Sequence, residues 1–159
     1  MTVRSLPHAR SEFQTVLQLG KWLETLPEPR PWAGSGEVGV RFPGRETAVG
    51  VDVAVFDAKT VADQPPPPER GEGMHVWQGI PLLAVEITSP TDRDRDIIAK
   101  VQEYLTVGVL QVWELRPGLG TATVHRHGVS PKIYAGDDRL LGDPELPGLS
   151  IRAGDLFGG

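Results

Sequence analysis

Apolar residues first recur at helical spacing: Phe13, Val16, Leu17, Leu19, Leu23 and Leu26 predict a helix from Ser11 to about Leu26, with Ser11 as its N-cap. Pro27 and Pro29 end it. The period then shortens to two. Glu37–Phe42 alternates weakly as a first strand, Pro43 and Gly44 turn the chain, and Val49–Phe56 follows as a stronger strand. Its Val51, Val53 and Val55 share one face and its Asp52, Ala54 and Phe56 the other. Residues 57–80 show neither period, and the four prolines Pro65–Pro68 favour an extended conformation. A long Pro-rich loop over one edge of the core is expected there, more a rigid spacer than a substrate-contacting flap. Pro81–Val107 carries a strand straight into an amphipathic helix. Leu110–Leu115 and Thr121–Arg126, joined by Pro117 and Gly118, read as a hairpin. In residues 136–159, Leu140, Leu141, Leu146, Leu149, Ile151, Leu156 and Phe157 are spaced by prolines and glycines, the pattern of a segment docking on the core without a long helix.

The predicted order is helix, strand, strand, strand, helix, strand, strand: an α/β or α+β fold with a mixed sheet flanked by helices. At 159 residues, 39% hydrophobic and 23% charged, the chain fits one domain over 1–159 with a proper core. It shows no signal peptide and no run of membrane-spanning length, so a soluble cytoplasmic protein without membrane contact is expected. Without cysteine there is no disulfide framework, thiolate metal site or cysteine nucleophile. The net charge of −5 argues against a coat of positive potential, as a non-specific duplex binder carries, but a carboxylate-rich site that binds cations would produce the same sign.

One charge stands out against this pattern. Alternation along the strand puts Leu83, Val85 and Ile87 on one face and Ala84, Glu86 and Thr88 on the other, so Glu86 sits where an apolar residue would be expected. A buried carboxylate without a partner costs several kcal/mol or stays protonated, so a partner, water or metal should lie close. Asp52 occupies the equivalent place in the preceding strand. If the two strands pair, the carboxylates face the same side and repel, and a hard divalent cation, Mg²⁺ or Mn²⁺, would remove that repulsion.

On the following helix, Asp96, Lys100 and Tyr104 are spaced i, i+4, i+8 beside the apolar stripe of Ile97, Val101 and Leu105. Lys100 therefore lies at the margin of the sheet-facing side, from which its ammonium could reach the carboxylates. The alternative is an exposed Asp96–Lys100 pair.

These residues, Glu86, Ser89, Pro90, Asp96, Lys100, Tyr104, Gly108, Val109 and Trp113, together with Asp52, His8 and the closing LPGLSIRAGDLF, resemble the Uma family of restriction-endonuclease-like proteins within the PD-(D/E)xK nuclease superfamily. The resemblance implies a restriction-endonuclease-like fold, Asp52 and Glu86 as metal ligands, and Lys100 in place of the signature lysine, whose usual position is Thr88 here. The usual proline before the first aspartate is Val51. The family also begins with a further helix and a glutamate-bearing strand. On this resemblance the sequence is expected to begin after them, and Glu12 and Glu37 are the candidates to replace that glutamate.

Other features carry blander readings. His125 and His127 lie near a turn and read as solvent-facing. His8 either touches substrate or caps the helix entrance. In TDRDRD, Arg93 and Arg95 could bind phosphate, while Asp92 and Asp94 favour the helix N-terminus and leave the arginines solvated. Trp22, Trp32, Trp77 and Trp113 could stack on bases, although Trp113, inside a strand, reads as core. No Walker-type loop, HExxH pair or nucleophile-elbow serine is present. The expected function is divalent-metal-dependent hydrolysis of DNA by Asp52, Glu86 and Lys100, supported by Tyr104, Asp96 and Thr88, in a homodimer. The alternative is a catalytically impaired nuclease fold that binds nucleic acid or protein.

Overall fold

The computed structural model describes residues 3–158; Met1, Thr2 and Gly159, the ends of the expected 1–159 unit, lie outside them. Helix α1 runs over Leu6–Glu24, earlier than apolar spacing suggests. Its N-cap is Ser5, whose side chain accepts the His8 N–H, and Pro7 fits the first turn, where no intrahelical N–H bond is lost. Ser11 is an interior residue, buried, and donates through Oγ to the Leu156 carbonyl at 2.9 Å. The periodic residues Phe13 and Leu17 are exposed, while His8, Ser11, Thr15, Leu19 and Trp22 are buried. The helix therefore turns a partly polar stripe inward, which a count of apolar residues does not detect.

The strands are β1 Trp32–Arg41, β2 Val49–Phe56, β3 Trp77–Gln78, β4 Leu83–Ile87, β5 Gln111–Arg116, β6 Thr121–Arg126 and β7 Val129–Ala135. They form one mixed sheet in the order β3-β1-β2-β4-β5-β6-β7. β4 and β5 are parallel, linked by helix α3, Asp94–Val107, while β5 and β6 form the expected antiparallel hairpin. Three additions go beyond the predicted order. Strand β1 begins five residues before Glu37, because a bulge between Ser35 and Val38 breaks its alternation. Within residues 57–80, Ala58–Ala62 forms the short helix α2, capped by Asp57, and β3 pairs with β1. Strand β7 precedes the tail, which itself contributes a small hairpin of β8, Arg139–Leu141, with β9, Ser150–Arg152, followed by a 3₁₀ turn at Ala153–Leu156. Those strands are short or mostly exposed, so they lack the apolar signal that reveals β2 and β4.

The sheet separates two apolar layers. One joins Leu19 and Trp22 of α1 to Val53, Val55, Leu83, Val85, Trp113, Leu115 and the tail residues Leu140, Leu146, Leu149, Ile151 and Leu156. The other joins Ile97, Val101 and Tyr104 of α3 to Ala54, Phe56, Ala84 and Val112. Small side chains on adjacent strands, Ala54 opposite Ala84, leave room for Tyr104 above them. Helix α3 stops at Gly108, whose φ of 111° is left-handed and suits glycine. Among the described residues no helix is long and apolar enough to cross a membrane.

Candidate active site

The β2–β4 ladder pairs Val53 with Val85, Ala54 with Ala84 and Val55 with Leu83. Its next step would set Asp52 opposite Glu86, and there the ladder stops. The Asp52 Oδ2 accepts the backbone N–H of Ile87 at 2.8 Å, so the side chain takes over a hydrogen bond that the strand backbone has released. Both acids are buried, each 4% exposed.

Glu86 is held from helix α3. Tyr104 donates its hydroxyl to Oε1 at 2.7 Å, and Lys100 Nζ lies 3.5 Å from Oε2. The geometry therefore decides between the alternatives for Lys100: its ion pair is with Glu86, while Asp96 is exposed and pairs with Arg95 at 3.7 Å. Lys100 remains half exposed, so its ammonium faces both the acid and solvent. Burial first, and the charge of Asp52 second, push the Glu86 carboxyl up to about 7 against the opposing pull of Lys100 and Tyr104. Burial, and then the neighbouring Glu86, also raise the Tyr104 hydroxyl, which stays protonated as a donor.

Asp52 is held from helix α1. His8 Nε2 lies 3.4 Å and Arg4 Nη2 3.5 Å from Asp52 Oδ1. Behind His8, Nδ1 is 3.9 Å from Glu12 Oε2, and Glu12 Oε1 accepts the Gly36 N–H at 2.6 Å. Arg4 also pairs with Glu37. The β1 bulge directs that contact, since Gly36 and Glu37 both adopt positive φ, 83° and 58°, and Glu37 is the one non-glycine among the described residues to do so. Glu12 and Glu37 thus both stand one residue removed from Asp52, behind a histidine and an arginine.

Of the other candidates, only His8 reaches the carboxylates. His8 is completely buried, its ring between Asp52 and Glu12. Arg93 precedes α3 and is exposed with Arg95 on its first turn. Thr88 lies just beyond the end of β4, its N–H bonded to the Leu115 carbonyl at 2.9 Å. His127 is exposed, but His125 is not solvated as expected: its Nε2 lies 3.6 Å from Glu114 Oε1. Trp113 is core, while Trp77 stacks between Trp32 and Phe56 at centroid distances of 4.9 Å.

Two residues near the site escape sequence reasoning. Arg4 precedes the first periodic stretch and has no pattern to mark it. Glu114 carries the same signal as Glu86, an acid inside an apolar strand, and the β4–β5 register places the two side by side. Glu114 is already matched: Arg116 Nε lies 2.5 Å from its Oε2, and His125, then Arg116, hold its carboxyl below the usual range despite burial.

A family model named Uma2 and described as "Putative restriction endonuclease" matches residues 1–154. Among solved structures, the fold is similar to the crystal structure of a "putative nuclease belonging to DUF820" from Anabaena variabilis ATCC 29413. The TM-score is 0.79 at 19% sequence identity, covering 99% of this chain and 83% of that one. No curated protein matches the chain.

Proposed function

This chain belongs to the Uma2 family, and we propose that it is a divalent-metal-dependent endonuclease that hydrolyses DNA phosphodiester bonds at Asp52 and Glu86. The observation that carries this reading is the pair of buried acids at the open end of the β2–β4 ladder, with Lys100 Nζ 3.5 Å from one of them. A purely structural site would gain nothing from two like charges pressed together in the core.

The residues fit Mg²⁺ or Mn²⁺. The donors are carboxylate oxygens, and the proton affinity of Glu86, raised first by burial and then by the charge of Asp52, is one that a hard cation would offset. Among the described residues no group of three or more His, Asp or Glu is placed to hold a cation. Asp52 and Glu86 would therefore share it with water and phosphate oxygens, the manner in which Mg²⁺ is commonly held. When bound, such a cation supplies positive charge to the carboxylates and polarises the phosphate.

The chain's own residues then orient and stabilise. Hydrolysis forms one P–O bond to water, which releases a proton to solvent, as the P–O ester bond opposite it breaks and the leaving oxygen takes a proton from solvent. The Ile87 N–H fixes Asp52 and the Tyr104 hydroxyl fixes Glu86, so neither carboxylate must reorganise during the reaction. The half-exposed Lys100 ammonium stabilises negative charge growing on the phosphoryl oxygens. Cutting both strands calls for two such sites, hence a homodimer, in the cytoplasm where DNA is available.

Plasmid DNA incubated with the protein and Mg²⁺ or Mn²⁺ tests the reading. Wild type should nick it, chelation should stop the reaction, and Glu86→Gln or Lys100→Ala should slow it by about 10²-fold or more. Equal nicking by all three proteins would contradict the assignment and identify a contaminant.

Arg4 motivates a second reading, a nuclease-fold binding module. Its guanidinium lies against Asp52 and pairs with Glu37, neutralising charge that a cation would otherwise neutralise. Divalent-independent DNA binding without nicking would favour that module.

A further inference from the structure

The least satisfied polar group near the site is His8. It is 0% exposed, and neither ring nitrogen has a hydrogen-bond partner among the described residues. Buried polar atoms are nearly always paired, and leaving one unmade is costly. The surroundings of the ring are nevertheless polar on both sides. Nε2 faces Asp52 Oδ1 at 3.4 Å, and Nδ1 faces Glu12 Oε2 at 3.9 Å, so a small rotation of ring or carboxylate would bring either into bonding geometry.

Everything around that ring is fixed. The His8 backbone N–H donates to the Ser5 cap at 3.4 Å. Glu12 is anchored through its other oxygen to Gly36 at the β1 bulge, and Asp52 is anchored through Oδ2 to Ile87. The other carboxylate oxygen of Asp52, Oδ1, is faced by His8 from the core and by Arg4 from the half-exposed side.

We propose that His8 is a positioning residue for Asp52, backed by Glu12, so that the chain Glu12–His8–Asp52 sets the carboxylate oxygen that engages a divalent cation. This rests on the reading of Asp52 as a cation ligand. Outer partners of this kind act on affinity by orienting the ligand, and their loss costs tenfold to a hundredfold.

The test is the Mn²⁺ affinity of the full chain by calorimetry, with the melting temperature of each variant measured alongside. Asp52→Asn should abolish binding. His8→Leu, which fills the space but donates nothing, should weaken it by about tenfold to a hundredfold. His8→Gln, whose amide N–H can stand where Nε2–H stood, should restore it to within about threefold of wild type. Glu12→Gln leaves the buried ring in place and should weaken binding by roughly threefold to tenfold, which keeps the test open if His8→Leu does not fold. Mn²⁺ affinity unchanged in the folded His8 and Glu12 variants, with Asp52→Asn silent, overturns the positioning role. Equal losses in His8→Leu and His8→Gln assign the ring to packing and overturn it as well. No Mn²⁺ binding by wild type, or binding that survives Asp52→Asn, removes the cation site itself and this inference with it.

Discussion

At the scale of residues, Glu86 and Glu114 are neighbours in register on adjacent parallel strands, yet folding moves their carboxyls in opposite directions. Glu86, pushed up to about 7 by burial and by Asp52, binds its proton more tightly in the native state than in the unfolded chain. Its contribution therefore lowers stability as pH rises from the ordinary 4.5 to about 7, and levels off above that. The full penalty is at most on the order of 3 kcal/mol. Glu86→Gln, which can still accept from Tyr104, should thus be more stable than wild type at pH 8 by about 1–3 kcal/mol, with the gap closing towards pH 5. Melting curves across that range check it, and an equal gap at both ends would show that Glu86 does not titrate between them. Tyr104→Phe should do the reverse, removing a buried donor and costing about 1–3 kcal/mol. Glu114, bound to His125 and Arg116, supports the fold above the ordinary carboxylate range and loses that support as pH falls.

At the scale of elements, the site depends on two helices approaching one strand pair from opposite faces. Helix α3 was legible from its apolar stripe, because Ile97 and Val101 do face the sheet, although Tyr104 from the adjacent line is buried with them and Leu105 only partly so. Helix α1 was legible as a helix but not in its start or its buried face, since its inward positions include His8, Ser11 and Thr15. The partners of His8 and Ser11, Asp52 and the Leu156 carbonyl, lie far away in sequence. The bulge that directs Glu37 towards Arg4 was hidden for the same reason, and so was β7, whose residues are mostly exposed. What periodicity reports is contact with an apolar neighbour; contact with a polar one leaves no repeat. The C-terminal segment holds α1 in place through the fully buried Leu156 and the Ser11 hydrogen bond. Leu156→Ala should lower unfolding free energy by about 2–5 kcal/mol in urea titrations, and a loss below about 0.5 kcal/mol would mean the segment is dispensable to the core.

At the scale of the whole molecule, the net charge of −5 opposes the approach of a polyanion, so DNA should associate weakly until cations reach the carboxylates. Fluorescence anisotropy with a labelled duplex should show binding that strengthens on adding Ca²⁺ or Mg²⁺ and does so far less in Asp52→Asn; equal strengthening in both would place the effect on general screening. The fold is shared with a nuclease-assigned structure at 19% identity, a level at which architecture persists while side chains diverge, so the site must be judged on its own atoms. The most direct judgement is a crystal of this protein soaked in Mn²⁺ and measured for anomalous scattering. The account predicts an ion within roughly 2.0–2.3 Å of a carboxylate oxygen from both Asp52 and Glu86, with the Lys100 ammonium alongside and no such ion in Asp52→Asn crystals. Density for Mn²⁺ elsewhere, or none while Arg4 keeps its place against Asp52, would contradict it.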